Sequence, residues 1–221
     1  MYHELLIALS GLPGAIFKAD KYGGLEVTKN LPFLHPSEAE LLDKLCSLGG
    51  HYRSLLKFIE TYSVDLSPID HLLKNDNRNP LEGQYLHAFC AGLTSVLKPY
   101  QDSLVQIERR VMKDPYTSLS HIHRGLEEYF FIFPVLSGLV ETMDTNKLHG
   151  CQVLELLYNE SNTGNPTVRK AILKILHACH GVLFKQLSAW MIYGILMDEY
   201  DEFFISMKST EGGKRKRYPS F

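Results

Sequence analysis

Features typical of secreted and membrane proteins are scarce in this sequence of 221 residues. It contains four cysteines, none in a CxxC pair and each in an apolar run of helical spacing, namely Cys46, Cys90, Cys151 and Cys179. Such cysteines are typically buried thiols of a reducing compartment. No uncharged apolar run reaches the ~20 residues needed to cross a bilayer, and the N-terminus lacks the positive segment of a signal peptide. We therefore expect an intracellular protein without disulfides and without membrane contact.

A strong net charge of either sign is also missing. The net charge is −2 with neutral histidines, so electrostatics offers no case for binding nucleic acid. The distribution is uneven, because residues 208–221 carry a net +4 and residues 1–207 a net −6. We predict a helical domain over 1–207 and a basic, disordered tail over 208–221. The KRKR run at 214–217 fits a nuclear-import or polyanion patch, and a solvated tail explains it equally well.

Catalytic signatures are absent from the sequence, which has no GxxxxGK[ST], GxGxxG, GxSxG, HExxH or EF-hand loop. One cluster suggests a metal, since His177 and His180 lie one helical turn apart beside Cys179. A zinc site needs three or four converging ligands, and no second cluster lies at a recognisable spacing. We predict no catalytic residue, metal or cofactor. The alternative is a metal-dependent helical enzyme that uses these three residues, and a buried cysteine between two packed histidines is the simpler interpretation.

Helical periodicity is what the sequence does have. Apolar residues recur at helical spacing from Val168 to Met197, and Asn165-Pro166 supplies a helix start signal. The second half of this run, residues 187–197, is apolar nearly all round. We expect other helices to enclose it, with Trp190 as a core anchor. The run is therefore predicted to be the central helix of a bundle.

The same periodicity predicts further helices at 3–10, 37–59, 81–112, 120–143 and 147–159. Ser37 with Glu40 resembles a capping box, Gly49-Gly50 indicates a kink or turn, and Pro99 and Pro134 predict bends. Residues 64–80 are predicted to form an exposed polar loop. Glycines inside the predicted helices are expected to mark close helix crossings: Gly92, Gly125, Gly138, Gly150, Gly181 and Gly194.

Only one strand signal is present. Residues 15–18 and 25–28 flank Tyr22-Gly23-Gly24, which is typical of a short hairpin. No internal repeat is evident, so a regular solenoid is not indicated. The predicted fold class is all-α: an elongated helical bundle with long, partly proline-kinked helices and at most one small N-terminal β-hairpin.

The stretch LSAWMIYGILMDEYDEFFI resembles the signature that closes the N-terminal conserved region of the gamma-tubulin complex components, also called GRIP-motif or spindle-pole-body proteins. The residues that carry the resemblance are His180, Gly181, Leu187, Trp190, Gly194, Leu196, Asp198, Glu202, Phe203, Phe204 and Ile205. The segments 1–17, 31–46, 85–100 and 147–158 resemble the same family in the same order.

The resemblance implies a non-enzymatic scaffold without cofactors. In this family an N-terminal helical region packs laterally against sibling components, and a C-terminal helical region binds gamma-tubulin, whose array templates microtubules. It implies a cytoplasmic and cytoskeletal location at microtubule organizing centres, such as centrosomes and spindle poles. Family members are several times longer than this chain, so we expect its link to gamma-tubulin to be indirect. A helical tether or adaptor is the alternative. Asp198 and Glu202 are expected to make polar contacts at a helix end.

Overall fold

The computed structural model describes residues 2–19, 24–27, 35–62, 83–114, 117–198 and 200–205. Within these ranges lie seven helices and two short strands. The helices are α1 (Tyr2–Leu9), α2 (Pro36–Tyr62), α3 (Gln84–Lys113), α4 (Leu119–Gly125), α5 (Tyr129–Asn146), α6 (Cys151–Ser161) and α7 (Pro166–Tyr193), and the strands are β1 (Phe17–Ala19) and β2 (Leu25–Val27). The prediction of an all-α fold with one small N-terminal hairpin is confirmed.

Several predicted features lie outside the described residues, including the polar loop at 64–80 and the basic tail at 208–221. None of the helices within the described ranges combines the length and the apolar character required to cross a membrane.

The N-terminal hairpin packs on α2, where two glycines leave room for it. β1 and β2 pair antiparallel, and α2 runs through Gly49 and Gly50 without a turn. A Cβ on Gly49 would lie 2.5 Å from the carbonyl oxygen of Ala8, and one on Gly50 would lie 3.2 Å from the backbone nitrogen of Leu25. The glycine pair therefore serves close packing of α1 and β2 against α2.

The most extensive helix pair of the bundle is formed by α3 and α7. The two helices run antiparallel, since Lys174 Nζ donates to the carbonyl oxygen of Ser95 (2.8 Å) and Tyr85 Oη donates to Gln186 Oε1 (2.9 Å). Between these contacts, a Cβ on Gly92 would lie 2.9 Å from Cα of Ile175. The close crossing predicted at Gly92 is confirmed.

The other glycine predictions fare differently. Gly138 and Gly181 lie in helices, but among the described residues no atom beyond their own stretch of helix lies within 4 Å of a Cβ built on either of them. Gly125 is the last residue of α4. Gly150 (φ 58°) directly precedes α6, and Gly194 (φ 64°) directly follows α7. The crossings predicted at Gly138, Gly181 and Gly194 are therefore wrong.

The stretch predicted as one helix at 120–143 forms two helices, α4 and α5. At the break, the amide of Leu126 donates to the carbonyl of His123 (3.1 Å) and that of Tyr129 donates to the carbonyl of Leu126 (3.0 Å). Such i→i+3 bonds tighten the turn relative to an α-helix. The apolar spacing continues across this break, which is why periodicity did not locate it.

Aromatic rings from α2, α3 and α5 meet in one buried cluster. The ring of Tyr100 lies 5.0 Å from that of Tyr129 and 4.8 Å from those of Phe133 and Tyr52. The buried Tyr100 hydroxyl donates to the carbonyl oxygen of Leu9 (2.9 Å). The cluster thus ties α1, α2, α3 and α5 together while satisfying its buried polar group.

The start of α2 differs from the predicted capping box. The helix begins at Pro36, so Ser37 lies in its first turn. The Ser37 hydroxyl is 2.6 Å from Nδ1 of His35. The described contacts of Glu40 include an ion pair with Lys44 at 2.9 Å, on the exposed face of the helix.

The central helix α7 begins as predicted but ends earlier. The side chain of Asn165 accepts a hydrogen bond from the amide of Thr167 (3.0 Å), which caps the first turn. At the other end the amide of Ile195 donates to the carbonyl oxygen of Ala189 (3.2 Å) and Gly194 adopts the left-handed conformation. The amide of Gly194 also donates to the carbonyl oxygen of Trp190 (3.0 Å), which is the bond of the αL type of helix end, so residues 194–197 lie outside the helix.

A candidate interaction surface at the end of the last helix

The C-terminal end of α7 projects beyond the start of α3. Since the two helices are antiparallel and α3 begins at Gln84, the bond between Tyr85 and Gln186 lies near the limit of their overlap. Residues 187–193 then extend α7 by about 10 Å, at 1.5 Å per residue. The first half of α7 is thus packed in the bundle, and its end is not.

Large apolar side chains are exposed on every side of this helix end. The exposed fractions are 40% for Trp190, 69% for Met191, 71% for Ile192 and 73% for Tyr193. Four consecutive residues at about 100° each encircle a helix, so the last turn of α7 is exposed on every side, whereas Ala189, one turn earlier, is buried. Ile195 (40%) and Met197 (57%) extend the exposure past Gly194.

We call these six exposed apolar residues the α7 terminal surface: Trp190, Met191, Ile192, Tyr193, Ile195 and Met197. Exposed apolar surface on this scale is typical of contacts with another protein. The expectation that other helices enclose residues 187–197, with Trp190 as a core anchor, is wrong. Apolar periodicity predicts that a side chain packs against a neighbour, but it does not specify that this neighbour lies within the described residues.

The chain after α7 turns back towards the bundle. The carboxylate of Asp198 accepts hydrogen bonds from the backbone amides of Glu202 (2.9 Å) and Phe203 (2.9 Å). We call residues 200–205 the strap. Within the strap, Phe203 is buried and Phe204 is exposed, so the turn presents two adjacent aromatic rings to different surroundings.

Glu202 reaches the start of α3. Its residue exposure is 5%, its Oε2 accepts a hydrogen bond from the backbone amide of Gln84 (2.7 Å), and its Oε1 lies 4.0 Å from Nε2 of His149. The first amides of a helix lack intrahelical partners and carry partial positive charge. Glu202 therefore makes a polar contact at a helix end, but the helix is α3 rather than α7, and the residue is not part of a solvated acidic face.

Two glycines make room for Glu202. A Cβ on Gly83 would overlap the Glu202 carboxylate, and one on Gly150 would lie 2.6 Å from the Glu202 carbonyl oxygen. That carbonyl also accepts a hydrogen bond from Cys151 Sγ (3.6 Å). We call the surrounding residues the Glu202 socket: Gly83, Gln84, His149, Gly150 and Cys151. None was singled out for this role from sequence, and the one available signal is that each glycine directly precedes a helix.

The Glu202 socket disfavours the charged form of the Glu202 carboxyl group. Burial raises the pKa of its carboxyl group above the usual range, and the nearby Asp198 adds to the rise. The amide of Gln84 and the imidazole of His149 act in the opposite direction and favour the carboxylate. The net direction is upward, so the neutral carboxyl fits this place more easily than the charged one.

The suggested metal cluster does not form. Cys179 is buried and its Sγ donates to the carbonyl oxygen of Tyr85 (3.8 Å), and burial raises the pKa of its thiol to about 12. His177 is exposed, while the ring of the half-buried His180 lies 6.0 Å from that of Phe184. Across the described ranges, no group of three or more histidine, cysteine or acidic residues is placed to hold a metal ion. The metal-dependent alternative therefore lacks its site.

The remaining residues of the family-like stretch are spread over the end of the molecule. Gly181 is exposed, while Leu187, Leu196 and Ile205 are half-buried. The stretch thus combines the helix stop, the exposed surface and the strap in one short segment.

Comparison with known proteins places these features in a family. The protein-family model described as gamma tubulin complex component N-terminal matches residues 2–219 of the chain. Gamma-tubulin complex component 4 of Mus musculus and that of Homo sapiens are each 46% identical to the chain over 212 residues, which cover 96% of this chain and 32% of the relative. Gamma-tubulin complex component 2 of Mus musculus is 24% identical over 206 residues, covering 91% of this chain and 21% of the relative.

The chain therefore spans about a third of the length of the component 4 relatives that it matches. The family model covers nearly all of the chain, including both the α7 terminal surface and the Glu202 socket. The chain belongs to the gamma-tubulin complex component family, whose N-terminal region it carries.

Proposed function

We propose that this chain is a non-enzymatic scaffold part of a gamma-tubulin complex and binds a sibling component through its helical domain. Family membership supports the scaffold role, since the relatives are named as gamma-tubulin complex components. By packing laterally against siblings the chain supports microtubule nucleation. The part of the relatives that this chain matches is their N-terminal region.

The observation that carries the binding role is the α7 terminal surface. It groups a tryptophan, a tyrosine and two methionines at one helix end, each at least 40% exposed. Aromatic residues and methionine are enriched in protein interfaces, and tryptophan and tyrosine often dominate the binding energy. Covering these side chains with a partner removes their apolar surface from water, which stabilises the complex by roughly 25 cal/mol per Å². The location that follows is the cytoskeleton, at microtubule organizing centres such as the centrosome and spindle pole.

The proposal is tested by mixing the chain at micromolar concentration with the N-terminal region of a sibling such as component 2. Binding is measured by titration calorimetry and by sedimentation. Met191→Glu places a charge on the α7 terminal surface and is expected to weaken binding at least tenfold, about 1.4 kcal/mol.

Met112→Glu is the matched control. Met112 is 79% exposed and Met191 is 69% exposed, and both are helical methionines. Met112 lies near the C-terminal end of α3, roughly 40 Å along that helix from Gln84. We expect Met112→Glu to bind like the unsubstituted chain. Equal affinities of the two variants, or no association of the unsubstituted chain with any component, would contradict the proposal.

A further inference from the structure

Three contacts of the strap converge on a single residue. Glu202 accepts a hydrogen bond from the Gln84 amide through its carboxylate and one from the Cys151 thiol through its carbonyl. Its own amide donates to Asp198. One residue thus links the chain after α7 to the first turns of both α3 and α6.

The place that holds Glu202 is shaped for it. The side chain is 1% exposed, and a methyl group on either Gly83 or Gly150 would take space that Glu202 occupies. The extended conformation of Gly83 is open to any residue (φ −176°), so at this position space is the constraint. Gly150 (φ 58°) also needs glycine for its backbone conformation, so Gly83 is the position whose glycine is explained by the space that the Glu202 carboxyl group takes.

The groups facing this carboxyl come from every element around it. His149 lies before α6, Tyr85 and the Gln84 amide belong to α3, and Asp198 lies at the turn before the strap. Since burial outweighs the favourable contacts, the pKa of Glu202 is raised. A neutral side chain of the same shape should therefore hold the strap at least as well as the carboxylate does.

We propose that Glu202 is a positioning residue that latches the strap onto the starts of α3 and α6, and that emptying its socket frees the strap while the helical bundle stays folded. The latch holds Phe204 and the rest of the strap (residues 200–205) in one arrangement, which serves binding at the α7 terminal surface. This last consequence rests on the proposed function, whereas the latch itself does not.

Cys151 offers a local probe of the latch. Its thiol is half-buried and bonded to the strap, whereas Cys46, Cys90 and Cys179 are buried in the bundle. The reaction rate of each thiol with a pyridyl disulfide is measured by peptide mass spectrometry and normalised to a free thiol at the same pH. Glu202→Ala is expected to speed labelling of Cys151 at least about tenfold, corresponding to 1.4 kcal/mol, with the other three unchanged.

Two further variants separate positioning from bulk stability. Glu202→Gln keeps the shape and the acceptor without the charge, so it is expected to restore slow labelling of Cys151. Gly83→Ala fills the socket from the opposite side and is expected to behave like Glu202→Ala. Thermal unfolding of all three is expected to stay close to that of the unsubstituted chain.

The pH profile gives a readout that a purely structural role would not move. The pKa of Glu202 in the latched state lies above its ordinary value of 4.5. At pH values between 4.5 and this raised pKa, the latched state therefore binds more protons than the released state. Latching is therefore favoured at lower pH and is weakened as pH rises through the raised pKa. Normalised labelling of Cys151 should rise with pH in the unsubstituted chain and stay flat in Glu202→Gln.

The outcomes distinguish this inference from the proposed function. Unchanged Cys151 labelling in Glu202→Ala and Gly83→Ala would overturn the latch, and so would unfolding of the whole bundle in both variants. If the strap is released but sibling binding is as tight as before, Glu202 has no positioning role in the contact. Absence of sibling binding by the unsubstituted chain would instead be a failure of the proposed function, and the labelling experiment would still test the latch.

Discussion

The two halves of α7 are similar in apolar content and opposite in surroundings. In the first half Val168, Ile172, Ile175 and Cys179 are at most 3% exposed, because α3 and α6 pack against them. In the second half Met191, Ile192 and Tyr193 are each about 70% exposed. The same helix is therefore a core element at one end and an open surface at the other. Apolar content alone does not distinguish a side chain that is buried in the fold from one that is exposed on an interaction surface.

The sharpest test of this difference is truncation in the first half. Ile175 is fully buried and lies at the crossing with Gly92. Ile175→Ala removes buried methyl groups and leaves a cavity, so we expect a loss of about 2–5 kcal/mol in the free energy of unfolding. Chemical denaturation with unchanged m-value measures it. Met191→Ala, an apolar truncation in the second half, is expected to change stability by less than about 1 kcal/mol. Similar losses in both variants would contradict the comparison.

A smaller effect is expected where a methyl group is added rather than removed. Gly92→Ala puts a Cβ 2.9 Å from Cα of Ile175, and the backbones must separate, at roughly 1–3 kcal/mol. Gly181→Ala is the matched control on α7, since no neighbouring element within the described ranges lies within 4 Å of its Cβ position. Relief of the helical glycine there is expected to stabilise the chain by about 0.5–1 kcal/mol. Thermal unfolding measures the sign of the change in stability for both variants. Destabilisation by Gly181→Ala would contradict the expectation that nothing packs against this position.

What sequence reasoning found was local. The start of α7 follows from Asn165-Pro166, whose cap is formed by residues two apart, and the hairpin follows from the glycines between two short apolar runs. Gly92 lies at a crossing as its sequence context predicts, but Gly138 and Gly181 carry the same signal without a close neighbour in the part of the chain that the structure describes. A glycine within a helix reports that a close approach is possible, and only the packed neighbour shows whether it occurs.

What sequence reasoning missed depends on distant segments. The Glu202 socket joins Gln84 and Glu202, which are 118 positions apart, and no periodicity links them. The acidic run around Glu202 is typical of a solvated face, and its burial follows from two glycines that precede other helices. The exposure of Trp190 was missed for a related reason: amphipathic spacing identifies the apolar face of a helix without specifying the neighbour that covers it.

We expect the smallest effect on stability at Trp190, which the sequence predicts to be a core anchor. Trp190 is 40% exposed and is the only tryptophan of the chain, so its fluorescence reports on the end of α7 alone. We expect iodide to quench this emission in the free chain, and Trp190→Ala to change the free energy of unfolding by less than about 1 kcal/mol. A core tryptophan would resist quenching and its truncation would cost about 3–5 kcal/mol. Binding of a sibling component should then protect Trp190 from iodide. Trp190→Ala should weaken that binding far more than it weakens the fold, because an interface anchor stabilises the complex rather than the isolated chain.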